Sequence, residues 1–316
     1  KQPQIIRDLN LDGLPERLRS APAAVADPSL LRDAATLMRR HARIVMKVGG
    51  GGRAFSARIR ELAERSGAAV VLSPGSTGVL PDAHEQNMHV GGSKGSISGN
   101  HAMAEATLLL VIGSRAVCQS DCSGVGYPKV TQVIKLNADL SDVAHYNKTL
   151  ALQGDIGAVI DQLLPALGAA PDEAAAERNA WLAACSAQKR SWKAFLASRQ
   201  GLPAMEDAVW NEPVLTQPAA LKLVCDFARS IGAVKFFDAG DVQANGFQTV
   251  EDDSPDETFT ESGASYMGFA TCAVIASGMA SAKRYAIGFT GDGSFMMNPQ
   301  ALISAVEHGA KGMIVI

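Results

Sequence analysis

Short, uninterrupted apolar runs alternate with stretches of helical periodicity along this chain. An amphipathic helix is predicted over 30–41, followed by an apolar strand over 44–48 and a glycine turn at 49–52 that leads into a helix ending near 66. Further apolar strands are predicted over 69–72, 108–112, 130–136 and 149–152, then a helix over 156–167. Strands that are apolar at every position, rather than at every second one, are buried on both faces. This is the pattern of a parallel sheet covered by helices on each side. Residues 171–200 have helical composition and are predicted to form a connecting helix, and 201–218, with three prolines, a loop. The alternation then resumes: helix 218–230, strand 233–237, helix 268–280, strand 285–290, helix 299–308 and an apolar strand over 313–316. The fold class is therefore α/β, with two doubly wound parallel-sheet domains over 30–167 and 218–316, joined by 168–217.

Composition narrows this picture. The chain has 316 residues, 47% of them hydrophobic and 19% charged, enough apolar material for two cores. A net charge of −3 without a basic run gives no electrostatic case for a nucleic-acid partner. No apolar run nears the length of a membrane helix, and residues 1–30 carry no signal-peptide core, so no membrane partner is expected. Cys118, Cys122, Cys185, Cys225 and Cys272 are scattered, which reads as reduced thiols in a cytoplasmic protein rather than a zinc site. The six histidines have no ligand-like or catalytic spacing. His84 and His89 are assigned to a loop and His308 to a helix C-terminus.

The segment most informative about chemistry is 285–316, YAIGFTGDGSFMMNPQALISAVEHGAKGMIVI. A strand delivers Asp292 at its C-terminal end, the edge where open α/β sheets bind ligands. Gly291 and Gly293 let backbone approach an anion, and Ser294 with the amides after it can bond phosphate. A plain strand–turn–helix is the alternative. The arrangement resembles the diphosphate-binding motif of thiamine diphosphate (ThDP) enzymes, within which it is most similar to the acetohydroxyacid synthase and cyclic 1,2-dione hydrolase group. The resemblance implies a Mg²⁺ ion held by Asp292 and by a second ligand beyond Ile316. Residues 236–244, FFDAGDVQA, resemble the family's strand and turn whose Gly240, Val242 and Gln243 face the diphosphate, with Asp241 a departure. Residues 261–280 resemble the segment in which Met267 is the wedge that bends the cofactor and the Ser265 carbonyl accepts from its aminopyrimidine. Gly268 admits the next helix.

The first sheet resembles the family's central domain. In some relatives that domain binds FAD, and Gly113, Arg115 and Asp139 are the matching candidates; an empty or ADP-type site is the alternative. The resemblance implies a ThDP- and Mg²⁺-dependent enzyme, a lyase, transferase or hydrolase. It would make or break a C–C bond beside the carbonyl of a 2-oxo acid or 1,2-dione. A non-catalytic ThDP- or nucleotide-binding regulatory remnant is the alternative. It also implies an activating glutamate on a separate pyrimidine-binding domain, a role that Glu261 and Glu307 do not match, and a homodimer or homotetramer. On this reading residues 1–29 are a linker from that domain, and the chain is part of one nearly twice as long.

Overall fold

A computed structural model describes residues 23–115, 122, 125–143, 148–168, 173–201, 204–261 and 263–316. Most of the predicted 1–29 linker, Cys118 and His145 lie outside these residues.

Helix α1 (Pro28–Arg40) starts where Asp27 caps it, its carboxylate accepting from the Ser29 amide at 2.7 Å, with Pro28 in the first turn and Arg39 and Arg40 in the last. Strands β1 (Ile44–Val48), β2 (Ala69–Leu72), β3 (Asn87–Val90), β4 (Leu108–Ile112), β5 (Gln132–Asn137) and β6 (Thr149–Gln153) form one parallel sheet in the order β3-β2-β1-β4-β5-β6. Helices α2 (Ser56–Ser66), α3 (Ile97–Glu105), α4 (Leu140–Val143), α5 (Ile156–Gly168) and the long α6 (Ala175–Gln200) accompany it. The continuous apolar runs have a direct cause. In β1, Ile44, Met46 and Val48 pack with Met38, Ile59 and Val159 on one face. Val45 packs with Met103, Trp181 and Cys185 on the other. Both faces are buried, as the sequence requires.

The segment expected to be a loop over 201–218 instead contains an antiparallel hairpin, β7 (Met205–Asp207) and β8 (Glu212–Val214). Its turn is built by Asp207, whose carboxylate accepts from the amides of Val209 and Trp210 at 2.8 and 2.9 Å. Helix α7 (Gln217–Ser230) leads into the second parallel sheet. It comprises β9 (Val234–Phe237), β10 (Thr258–Thr260), β11 (Ala286–Phe289) and β12 (Gly312–Val315), in the order β10-β9-β11-β12. Its helices are α8 (Asp241–Thr249), α9 (Phe269–Met279), the single turn α10 (Asp292–Phe295) and α11 (Ala301–Glu307). Phe237 and Phe289 stack with centroids 4.5 Å apart and belong to the same apolar cluster as the first sheet's core. The two sheets are thus packed units of one molecule. No helix among the described residues is long and apolar enough to cross a membrane.

Candidate functional site

A cavity of about 380 Å³ opens at the C-terminal edge of the second sheet. Among the segments that line it are the turn after β9, the turn after β11, and Met267, with Gln217, Ala220 and Leu221 of α7 and Val315 and Ile316 completing the wall. The first turn differs from expectation. Residue 241 begins a helix rather than continuing a turn. Gly240 is its N-cap, at φ 96° and ψ −152°, a conformation open essentially to glycine alone. A glycine cap supplies no side-chain acceptor, so the first amides of α8 are left for a ligand at the cavity wall. The second turn is similar: Gly291 caps α10 with no side-chain bond, and the Gly293 amide donates to Asp292 Oδ1 at 2.8 Å. Gly240, Val242, Gly291, Asp292, Gly293 and Ser294 all line the cavity.

Gln243 does not. Because α8 starts at Asp241, Gln243 is rotated back into the protein, where it is buried. Its Nε2 donates to Thr260 Oγ1 at 2.7 Å and to the Glu261 carbonyl at 3.2 Å. It braces the start of the Met267 loop rather than facing a ligand. That loop is held from its other side by the Glu261 carboxylate, which accepts from the amides of Gly263 (2.6 Å), Ala264 (3.0 Å) and Tyr266 (3.2 Å). Burial pulls the Glu261 pKa upward, but these amide bonds outweigh it and hold the carboxyl below its ordinary value. Ser265 sits inside this clamp at φ 57°, outside the cavity lining. Met267 is 45% exposed and borders two cavities: the one described and a broader apolar hollow of about 850 Å³ lined by Phe236, Phe259, Tyr266 and Phe269. A Cβ on Gly293 would lie 3.4 Å from the Met267 methyl, so the side chain rests on the Asp292 turn.

Sequence reasoning missed Asp238. It is fully buried at the end of β9 and accepts from Ala239 N (2.9 Å), Gly268 N (3.0 Å), Ala270 N (3.2 Å) and Thr290 Oγ1 (3.0 Å). One carboxylate thereby ties the Gly240 turn, the segment after Met267 and the strand end before Asp292 into a single frame. The hint in the sequence was a carboxylate following two phenylalanines at a strand end, and three of its four partners lie 30 to 52 residues away.

The electrostatics are specific. Asp241 and Asp292 both line the cavity, and among the described residues no lysine or arginine does. Amide dipoles alone do not offset two carboxylates, so an anion enters on favourable terms only with a cation beside it. Among the described residues no cluster of three potential ligands would hold a metal unaided. The lining thus suits an anion that arrives together with a cation, and Asp292 places a carboxylate at its wall.

At the first sheet the strand order reverses between β1 and β4, the usual ligand crevice of such sheets. Gly113 there donates to the Leu136 carbonyl at 3.0 Å and accepts from the Gly51 amide at 3.1 Å. A Cβ on Gly49 would fall 2.3 Å from the Gly113 oxygen, so the two glycine turns are packed on each other. Asp139 accepts from the Ser141 hydroxyl and amide, which lower its pKa, and Arg115 is exposed. Neither cavity of the second sheet includes these three.

Comparison with known proteins gives a consistent result. The thiamine pyrophosphate enzyme central domain matches residues 31–163, and the thiamine pyrophosphate enzyme C-terminal TPP binding domain matches 238–316. The acetolactate synthase isozyme 1 large subunit of Escherichia coli is 27% identical over 308 residues, covering 96% of this chain and 50% of the relative. The 3D-(3,5/4)-trihydroxycyclohexane-1,2-dione hydrolase of Listeria monocytogenes is 25% identical over 304 residues, 90% of this chain and 47% of the relative. Acetolactate synthase 3, chloroplastic, of Brassica napus is 24% identical over 297 residues, 93% and 43%. The chain spans about half the length of the curated relatives it matches.

Proposed function

Because the chain belongs to the thiamine pyrophosphate enzyme family, we propose that its second sheet holds the diphosphate end of ThDP and that Asp292 holds a bridging Mg²⁺. The observation that carries this reading is the lining of the 380 Å³ cavity: two glycine-capped turns, Asp292, and no cationic side chain among the described residues. Gly240, Val242, Gly291, Gly293 and Ser294 border the diphosphate, while Met267, resting on Gly293, shapes the cavity beside it. Gln243 and Glu261 position the Met267 loop, and Asp238 locks the three segments together. When bound, ThDP supplies an electron sink beside a carbonyl carbon; the protein's share is binding, orientation and exclusion of water.

The reaction proposed for the complete protein is cleavage or formation of a C–C bond next to a carbonyl, on a 2-oxo acid or a 1,2-dione. Support comes from relatives whose names include both acetolactate synthases and a cyclic dione hydrolase. The activating glutamate is assigned to a pyrimidine-binding domain outside this sequence, and the working unit to a homodimer or homotetramer. The test is to supply the complete protein with ThDP, Mg²⁺ and either pyruvate or a cyclic 1,2-dione, and to follow products by mass spectrometry. Magnesium-dependent turnover of one of them is expected. ThDP binding without turnover of either would instead favour a regulatory remnant.

A further inference from the structure

Away from that site the two sheets meet along a seam. Residues 74–86, before β3, lie against 250–258, which lead into β10. The Asp82 amide donates to the Asp252 carbonyl at 2.9 Å, and a Cβ on Gly78 would fall 2.0 Å from the Ser254 carbonyl oxygen. Arg53 donates to the carbonyls of Gly75 and Thr258, spanning both sides. Within the seam is a separate cavity of about 20 Å³, walled by Leu72, Phe247 and Val250 among others. Three of the residues that line it each carry a buried polar atom with no hydrogen-bond partner among the described residues: Thr77 Oγ1, His89 Nε2 and Asp252 Oδ2. Leaving three such atoms unpaired in one dry space is costly, so a shared partner is called for.

Their hydrogen-bonding roles follow from the groups around them. His89, in β3 at φ 64°, has its Nδ1 3.1 Å from Asp82 Oδ1, while Lys193 Nζ lies 2.6 Å from Asp82 Oδ2. Asp82 is therefore a carboxylate, the imidazole proton sits on Nδ1, and Nε2 presents a lone pair. Asp252 Oδ1 is already engaged by Thr258 Oγ1 at 2.9 Å and by the buried Lys235 ammonium at 3.1 Å; Oδ2 is a free acceptor. Thr77 can donate. The cavity thus offers two acceptors and one donor, the complement of a single water molecule, and its volume exceeds the roughly 10–15 Å³ that one water needs. A monovalent cation is disfavoured. Lys235 already neutralises Asp252, and Lys189 and Lys193 stand on the other side of His89.

We infer that one ordered water molecule is bound between Thr77, His89 and Asp252, and that it pins the first sheet to the second. It would be a structural ligand, outside the proposed cofactor site and independent of that reading. Crystallography of the protein at a resolution that shows ordered water, for the wild type and for Thr77→Ser and Thr77→Val, is the test. The expected result is one solvent peak within hydrogen-bond distance of all three atoms in the wild type and Thr77→Ser. The peak should be lost in Thr77→Val, with a lower Tm for that variant alone. If Thr77→Val fails to fold, the wild-type density and Thr77→Ser decide. Absence of the peak, an anomalous signal there after a rubidium soak, or the three side chains bonding one another directly would overturn the inference.

Discussion

At the scale of single residues the two turn glycines do different things. Gly240 has open space where a methyl would stand but a backbone angle that excludes other residues; Gly291 has the same open space at an ordinary φ of −82°. Gly240→Ala is therefore expected to destabilise the protein by about 1–3 kcal/mol through backbone strain. Gly291→Ala is expected to leave Tm nearly unchanged while weakening ThDP binding, because its methyl enters the cavity. Urea melts and calorimetric titrations of both variants check the contrast, and equal stability losses would contradict it. Asp238→Asn places an amide NH₂ against donors already aimed at a carboxylate. A loss of about 2–4 kcal/mol in folding free energy is expected from urea melts. The Asp292 turn was legible in the sequence because strand, glycine pair and helix are contiguous. Asp238 was not, because three of its four partners are joined to it only by the fold.

At the scale of elements, the strands buried on both faces were the most readable features, since short continuous apolar runs alternating with helices suit a parallel sheet covered on both sides. The short edge strands β3 and β10 were missed: Asn87-Met-His-Val and Thr258-Phe-Thr lack a continuous apolar run, and His89 was consequently assigned to a loop. The direction of Gln243 depended on where α8 begins, a boundary that one residue changes by about 100° of rotation. The loop that carries Met267 is the element whose order the site depends on. Glu261→Ala removes the acceptor shared by Gly263, Ala264 and Tyr266. It is expected to weaken ThDP binding roughly three- to tenfold, with little effect on Tm because the loop is at the surface. Limited proteolysis should cut the variant first within 261–267. Protection equal to wild type would contradict the positioning role.

At the scale of the whole molecule, the seam between the sheets makes stability depend on pH. Burial, opposed by the Asp82 contact and reinforced by Lys193 and Lys189, lowers the pKa of His89 below its ordinary 6.5. Half-buried His41 is lowered in the same direction by burial. The folded state therefore binds fewer protons at these sites than the unfolded chain. Their contribution is fully present above pH 6.5 and is lost as pH falls through the window below it. For Asp82, burial raises the pKa, but the His89 and Lys193 bonds outweigh it and hold the carboxyl well below 3.8, so its share is lost only at stronger acidity. Urea melts across this range should show stability flat just above pH 6.5 and declining beneath it, with a shallower decline in His89→Asn. A profile that rises on acidification would contradict this.

Function turns on whether the cavity of the second sheet takes a diphosphate only together with a metal, as Asp241 and Asp292 in its lining, with no described cationic side chain beside them, require. Calorimetric titration of the protein with ThDP, in Mg²⁺ and in EDTA, for wild type and Asp292→Ala, decides this. Saturable binding to wild type in Mg²⁺, none in EDTA, and a loss of at least about 2 kcal/mol of binding free energy in Asp292→Ala are expected. Equal affinity with and without metal, or wild-type metal-dependent affinity in Asp292→Ala, would contradict the metal-bridged site.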